Sequence, residues 1–391
     1  MPDDAPETVA RLASSIAAVP AAEWDACAGS ANPFVSHAFL EALEASGSVG
    51  GQTGWRPAHL LLESASGRLI GAVPLYLKSH SWGEYVFDQG WAEAWERAGG
   101  RYYPKLQAAV PFTPVPGPRL LAGAGADAPA IRAVLARALI AAAEQIGVSS
   151  LHVTFATRED IAALGAAGFL IRTGMQFHWE NRGYSSFDDF LAALASRKRK
   201  AIRKERAAVG EAGVSLRALT GPEITGKHWD SFFRFYTSTS DRKWGSPYLT
   251  RAFFDLLGAA MGDKVVLIMA ERNGRPIAGA LNLKGADTLY GRNWGCSADV
   301  AFLHFEACYY QAIDYAIAHG LARVEAGAQG EHKIQRGYLP VETWSAHWIA
   351  DAALRKAVAD FLKREHAAME REMAALVELS PYRERAYTRR P

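Results

Sequence analysis

The feature that most constrains this chain is that it repeats itself, at two places and in one order. Residues 67–78 read GRLIGAVPLYLK and residues 274–284 read GRPIAGALNLK. Each follows an apolar run, HLLLES at 59–64 and VVLIMAER at 265–272. Each has the strand, Gly-containing turn, strand pattern of a hairpin, and Asn273-Gly274 gives the second copy a strong turn signal. Downstream, GFLIRTGMQFHW (168–179) matches GYLPVETWSAHW (337–348), with Gly, an aromatic, Leu and a final His-Trp in the same places. A helix-like stretch and a short strand precede each: AIRAVLARALIAAAEQIG then SLHVTF, and FEACYYQAIDYAIAHG then ARVEAG. Two matched blocks in one order predict a tandem of two related units. The alternative is two unrelated hairpins with common residues. The expected class is α/β (α+β), with mixed, mostly antiparallel sheets flanked by helices. The first unit is expected over 1–181, the second over 182–380, with 381–391 a loose basic tail. Copy one is the longer, and its excess includes a Pro-rich, aromatic insertion at 90–121, the kind of segment that is often a functional loop.

Composition narrows the function classes. The 391 residues carry 43 Lys and Arg against 41 Asp and Glu, a net charge of +2. A general nucleic-acid binder usually has a larger basic excess, and no helix-turn-helix pattern is present, so a DNA partner is not expected. Cys27, Cys296 and Cys308 lie far apart with no CxxC pair. That pattern suggests neither a zinc ribbon nor a thioredoxin-like site, and the odd count fits a reducing compartment. The N-terminus is acidic at once, without a signal-peptide pattern, and no run of 18 apolar residues occurs. A cytoplasmic protein without a membrane span is the expectation. There is no GxSxG elbow, HExxH, P-loop or GxGxxG after a strand, so no metal and no permanently bound cofactor is expected.

Several segments carry a family resemblance. PFVSHAFLEALE, GAVPLYLK, GEYVFD, RYYPKL, PFTPVPGPRLL, FHWENRGYSSFDDFLA and GAQGEHKIQRGY, with the joint SRKRKAIRKERAAVGEAGVSL (196–216), resemble the FemAB-like N-acyltransferases of bacteria. The order strand, hairpin, strand, helix, strand is similar to the GNAT acyltransferase fold. A tandem of two such units resembles the Fem family, which adds amino acids to peptidoglycan precursors. The resemblance implies an N-acyltransferase that moves an acyl or aminoacyl group onto a small-molecule amine acceptor, such as a cell-wall precursor or another phosphorylated amine. Its co-substrate would be aminoacyl-tRNA or acyl-CoA. The donor stays open because GCSADVAFLHFEA, after the third strand of copy two, lacks the glycine spacing that brings successive amides onto a diphosphate. The alternative function is a non-catalytic tandem that binds tRNA or a nucleotide-linked ligand.

SRKRKAIRKER (196–206) holds seven basic residues. No Gly or Pro interrupts 187–209, which predicts one helix, with Leu191, Ile202 and Val209 as its buried stripe. Arg199, Arg203 and Arg206 form one row beside the stripe, and Arg197, Lys200 and Lys204 form another. The rows are either a solvated face or a grip, the first row on phosphate and the second on a tRNA backbone. In the loop 327–338, Lys333 is a candidate to hold a phosphate or carbonyl oxygen. Glu325 or Glu331 is a candidate base, and Gln329 and Tyr338 are candidate substrate contacts. On TLYGRNWG (288–295), alternation puts Tyr290, Arg292 and Trp294 on one face, and Arg292 and Trp294 are candidate binding residues. EYVFDQGW (84–91) reads as the copy-one equivalent of that strand, with Asp88 as its polar member. Tyr103 and Lys105 of RYYPK are candidates for an acceptor groove. His178-Trp179 and His347-Trp348 read as packing residues. The amphipathic stretch 351–376 is expected to be a helix packed on the second unit.

Overall fold

One half of the chain reproduces the strand order of the other. The computed structural model describes residues 8–243, 247–327 and 330–383. The first half runs β1 (Thr8–Ala13), α1 (Ala21–Ala28), α2 (His37–Ala45), β2 (Trp55–Pro57), β3 (His59–Ser64), β4 (Leu69–Val73) and β5 (Leu75–Lys78). It continues with α3 (Gln89–Arg97), β6 (Lys105–Ala108), α4 (Ala128–Ile146), β7 (Ser150–Ala156), α5 (Arg158–Ala166) and β8 (Leu170–Glu180). Two helices follow, α6 (Phe187–Ala193) and α7 (Ser196–Glu211). The second half runs β9 (Val214–Thr220), α8 (Gly226–Lys243), α9 (Arg251–Met261), β10 (Val265–Arg272), β11 (Arg275–Lys284) and β12 (Thr288–Cys296). Then come α10 (Leu303–Phe305), a π turn (Glu306–Tyr310), α11 (Gln311–Ala318), β13 (Arg323–Glu325), β14 (Leu339–Ile349) and α12 (Ala352–Glu378).

In the second half β9, β10, β11 and β12 pair antiparallel in that order, and β12 pairs parallel with β13. In the first half β1, β3 and β4 pair antiparallel, β5 pairs antiparallel with β6, and β6 pairs parallel with β7. β4 and β5 together match β11; Pro74, which has no amide hydrogen, interrupts them. Asn273 and Gly274 both take positive φ, 53° and 70°. That is the type I′ geometry that lets a two-residue turn join twisted strands, here β10 and β11. Glycine also sets how near α8 can come. A Cβ on Gly295 would stand 2.1 Å from the Phe235 carbonyl oxygen, and one on Gly279 would stand 2.8 Å from the Phe232 ring.

The compact units are residues 1–174 with 342–369, and 175–341 with 370–391. The division expected at 181/182 keeps each closing strand with its own copy, whereas here each last strand serves the other copy. In the first unit β7 pairs antiparallel with β14, Leu151 opposite Trp348. In the second unit β13 pairs antiparallel with β8, Val324 opposite Trp179. The two strands carry the same pattern, so sequence alone gives neither a preferred neighbour.

Four local expectations change. The third strand of copy one is β6, which lies inside the segment read as an insertion. Residues 84–91 are not a strand; positive φ at Gly83 and Tyr85 ends extended geometry there. The helix expected over 187–209 breaks at Leu194 and Ala195, because the chain end pairs with the break: Ala195 N–H donates to Pro381 O and Arg383 N–H to Ala193 O. Residues 381–383 are therefore anchored, with Tyr382 buried and its hydroxyl donating to Gly337 O at 2.9 Å. Lastly, α12 is divided: Leu354, Val358 and Leu362 pack with Trp91, Tyr102 and Ile349 in the first unit, and only its far end, with Leu376, packs in the core of the second as expected. The stripe of Leu191, Ile202 and Val209 is buried as expected. Burying each such side chain contributes roughly 1.5–3 kcal/mol, which holds this charged helix where its own composition would not.

Candidate functional site

In the second unit the parallel pair β12–β13 spans three residues: Thr288 opposite Arg323, Leu289 opposite Val324, and Tyr290 opposite Glu325. β13 ends there, while β12 runs on to Cys296. Past Tyr290 the strands part, and β12 has no further pairing with β13 among the described residues. A bulge falls at the same place: Leu281 faces Asn293 and Asn282 faces Gly291, which leaves Arg292 as the extra residue. The bulge overturns the expected shared face. Tyr290 lies opposite Leu283 and Trp294 opposite Ala280, and those partners point to opposite sides of β11. Trp294 packs edge-on against His304 at 5.4 Å.

Glu325 sits where the strands part, with Tyr290 and His178 as its register neighbours. It is 6% exposed. His178 Nε2 lies at 3.8 Å and the Arg323 guanidinium at 3.9 Å, beyond hydrogen-bond range, and Glu325 Oε2 has no hydrogen-bond partner. Burial pushes the carboxyl up to about 8, with Arg323 and Arg292 opposing and Asp287 adding to the rise. Burial, with Arg323 and Lys333 nearby, pushes His178 down to about 3 and keeps it neutral. A carboxyl that exchanges its proton near neutral pH is suited to general acid–base work.

Lys333 is buried, and its ammonium donates to Gly327 O at 2.9 Å. Burial lowers it to about 8, and Cys308 partly restores it. Glu325 and Lys333 share no ion pair or hydrogen bond among the described residues. Gly327 and Gly330 bend the loop with φ of 78° and 118°. His332 Nε2 meets the Tyr309 hydroxyl at 2.9 Å. Tyr338 is fully buried, and its hydroxyl donates to Tyr309 O, so it is a core residue of the loop's foot. Gln329 lies outside the described residues, and Glu331 is described by its backbone alone.

The basic helix is not one uniform row. Arg206 donates to Glu306 at 3.0 Å and Asp314 at 2.7 Å and stacks over Phe187, so its charge is already answered. Arg203 is exposed and pairs with Asp188 at 2.7 Å. Arg199 is half-buried, and its guanidinium has no partner among the described residues, while Arg197, Lys200 and Lys204 are exposed. Lys198 donates to Gln335. Beside the helix is an arrangement that sequence reading missed. Arg336 lies 3.4 Å over the Phe305 ring and donates to Glu205 at 2.9 Å, and the Tyr310 hydroxyl donates to the same carboxylate. Glu205 is the sole acid of the basic run, which was the available signal.

Asp88, Tyr103 and Lys105 come together in the first unit, around a network larger than the motifs suggested. The Lys105 ammonium donates to Ser81 and Glu84 at 2.7 Å and to Asp88 at 2.5 Å. Tyr103 meets Ser81 at 2.8 Å, and the Tyr102 hydroxyl donates to Asp88 at 2.8 Å. Burial would raise Asp88, but Lys105 and His152 hold its carboxyl well below the usual range. Glu84 is pushed up to about 7 by burial. Lys78, also missed, is fully buried 3.6 Å from the Trp55 ring and is brought down to about 7 by the same cause. The parallel pair β6–β7 parts as well, but its gap is closed. Gly117 N–H donates to Phe155 O, and the buried Arg119 donates to Thr154 O at 2.9 Å and Val115 O at 2.7 Å. Among the described residues no three His, Cys, Asp or Glu side chains are placed to hold a metal ion, and no helix is long and apolar enough to cross a membrane.

Paired sheets of this order, flanked by helices and repeated in tandem, make an α/β fold similar to that of FemX. FemX itself superposes with a TM-score of 0.53 at 12% identity, covering 87% of this chain and 98% of FemX. L-PGS from Bacillus licheniformis gives 0.51 at 11% identity, covering 85% and 98%. The C-terminal domain of a putative lysylphosphatidylglycerol synthetase from Agrobacterium fabrum gives 0.53 at 10% identity, covering 87% and 95%. At these identities the likeness is one of fold. The chain belongs to the FemAB-like family, described as peptidoglycan biosynthesis/recognition, whose model matches residues 15–384. No curated protein sequence matches it.

Proposed function

We propose that the protein is an N-acyltransferase whose reaction takes place in the second unit, where β12 and β13 part. The acyl carbonyl of the donor enters the opening, and backbone amides of β12 beyond Tyr290 stabilise the oxyanion. The acceptor's amine attacks the carbonyl carbon, Glu325 takes the amine's proton, and the bond from carbonyl carbon to the donor's leaving oxygen or sulfur breaks. The leaving group departs with a proton. Lys333 holds Gly327 O and places a positive charge beside the leaving group. The acceptor is a small-molecule amine, a cell-wall precursor or another phosphorylated amine, with Arg199 and Arg203 as its phosphate contacts. The donor is aminoacyl-tRNA or acyl-CoA, which implies a cytoplasmic reaction. Family membership supports the reaction class, and peptidoglycan enters at that level only.

The observation that carries this reading is Glu325: a buried carboxyl, unpaired at Oε2, at the end of a parallel pair. The test is transfer of label from bulk aminoacyl-tRNA and from acetyl-CoA to a panel of amines, with wild type and Glu325→Gln. A loss of about 10²–10⁴ in rate in the variant is expected. Full activity in Glu325→Gln, or no transfer from any donor, would remove the reading.

A further inference from the structure

The two closing strands repeat His-Trp, and the two residues of the pair do different things. Trp179 is a core residue of the second unit, and Trp348 packs against the core of the first. The histidines lie on the other face of their strands, each opposite a titratable residue of the neighbouring strand. In the first unit His347 faces His152, and their Nδ1 atoms meet at 2.7 Å. In the second unit His178 faces Glu325, and each is 6% exposed. His178 Nε2 stands 3.8 Å from Glu325 Oε2, and that oxygen has no hydrogen-bond partner. One copy of the pair is bonded, and the other is held just apart.

Gln176, two residues back on the same face of β8, places the proton of the His178 ring. Its Oε1 lies 3.3 Å from His178 Nε2 and can only accept, so Nε2 carries the hydrogen. The ring nitrogen nearest the carboxyl is therefore a donor. A shift of about 1 Å brings it into hydrogen-bond range of Oε2. That bond is stronger to a carboxylate than to a protonated carboxyl, because a charged acceptor binds the hydrogen more tightly. Burial, with Arg323 and Lys333 nearby, keeps the imidazole neutral, so it offers an N–H and not a charge. Tyr290 faces Glu325 from the other side, and Arg323, Arg292 and Asp287 act on it by charge. Burial is the largest influence on Glu325, and it disfavours the ionised form that a base needs.

We propose that His178 is a positioning residue for the base: its Nε2–H rests on Gln176 while Glu325 is protonated and turns to Oε2 when Glu325 is ionised, holding the carboxylate ready for the amine's proton. The inference rests on the reading of Glu325 as that base. When Glu325 takes the proton, the bond to Oε2 weakens and the N–H returns to Gln176. No proton leaves His178 in this cycle. Repetition of His-Trp in the sequence pointed to packing for both histidines; the residue across the strand gives this copy its separate role.

The first readout needs no acyl donor. The Glu325 carboxyl is titrated by carbon-13 NMR in protein labelled at glutamate, its signal identified by its absence from Glu325→Gln. His178→Phe should raise the midpoint by about one pH unit or more, the size expected when a hydrogen bond to a charged group is lost. His178→Gln keeps an N–H donor and should stay close to wild type. Gln176→Leu removes the competing acceptor and should move the midpoint down, which keeps the test alive if His178→Phe does not fold. In transfer assays the acid limb of kcat should rise with the midpoint in His178→Phe while KM is unchanged. Its rate should be about tenfold low at neutral pH and approach wild type above the shifted midpoint. A midpoint unmoved in either His178→Phe or Gln176→Leu, an equal shift in His178→Gln, or a rate deficit that persists at every pH overturns the proposal and leaves His178 a packing residue. If Glu325→Gln is slow in those cases, the base reading survives without His178. Full transfer by Glu325→Gln removes the base reading and the positioning role with it.

Discussion

Arg206 of α7 holds Glu306, the first residue of the π turn, at 3.0 Å, and Glu306 is buried. Single π turns are frequent at functional sites, and here the irregular turn is pinned by an ion pair. Removing one partner of a buried pair leaves an uncompensated charge. Arg206→Ala is therefore expected to cost about 3 kcal/mol, read by urea denaturation, whereas Arg199→Ala should be close to neutral in the same assay.

The same division of labour governs the salt dependence of tRNA binding. Arg197, Lys198, Arg199, Lys200 and Lys204 are the cations of α7 without an ion pair among the described residues. Each one lost to alanine should reduce the slope of log K against log salt by about 0.7–0.9 if it meets a phosphate. Arg206→Ala should leave the slope unchanged. A filter-binding series over salt concentration separates the two outcomes.

Glu325 makes the rate depend on pH. Burial holds its carboxyl up at about 8, so the base form grows as pH rises towards that value. Transfer should climb through neutral pH and level off above about 8, and Glu325→Gln should lose that limb. Stability runs the other way. The folded value lies above the unfolded value of 4.5, so the folded state holds the extra proton between them. Stability from this group is full below about 4.5 and falls as pH rises towards 8. Thermal melts at pH 5 and pH 8 should show a smaller difference in Glu325→Gln than in wild type.

The network in the first unit predicts unequal lysines. Lys105 is held against Glu84 and Asp88, so Lys105→Met strands two buried carboxylates and should destabilise by about 3–5 kcal/mol. Lys78 is brought down to about 7 by burial, and its contact with Glu84 is longer, 3.8 Å. Its folded value lies below the unfolded 10.5, so it costs stability as pH falls through that window. Lys78→Met should be milder than Lys105→Met, and most favourable relative to wild type at or below pH 7. Denaturation at pH 6 and pH 9 checks both.

Gly295 is a steric prediction. A Cβ 2.1 Å from a backbone oxygen of α8 forces the helix away from β12, so Gly295→Ala should cost about 3 kcal/mol. Gly274→Ala should cost less, because it meets no atom within 4 Å and strains only its φ of 70°.

Some of this molecule is legible in its residues. The matched blocks carried the duplication, Asn273-Gly274 carried the hairpin, and Leu191, Ile202 and Val209 carried the buried line of the basic helices, because periodicity and turn chemistry are local properties. Glu325 and Lys333 were nameable as acid and cation at a Gly-rich turn. Their separation into different surroundings was not, since it depends on which groups the fold brings near each. Lys78 and Arg119 gave no local signal, and Glu205 gave only its place as the sole acid of a basic run; Glu84, Thr154 and Arg336, which they meet, lie 6, 35 and 131 positions away. The bulge at Arg292, which sends Tyr290 and Trp294 to opposite faces, is one residue of register and has no signature in TLYGRNWG.

The sequence by itself determined that two like units are made, which segments are strands or helices in most of each, and that a basic helix lies between them. These follow from hydrophobic period, turn residues and charge within a few positions. The tertiary structure alone decided that each copy's last strand completes the other unit, that Arg119 ties the end of β7 to Val115, and that Arg206 is neutralised while Arg199 is not. Those outcomes depend on pairing register and on buried charges finding partners far along the chain, where interaction energies reward spatial contact and are blind to sequence distance.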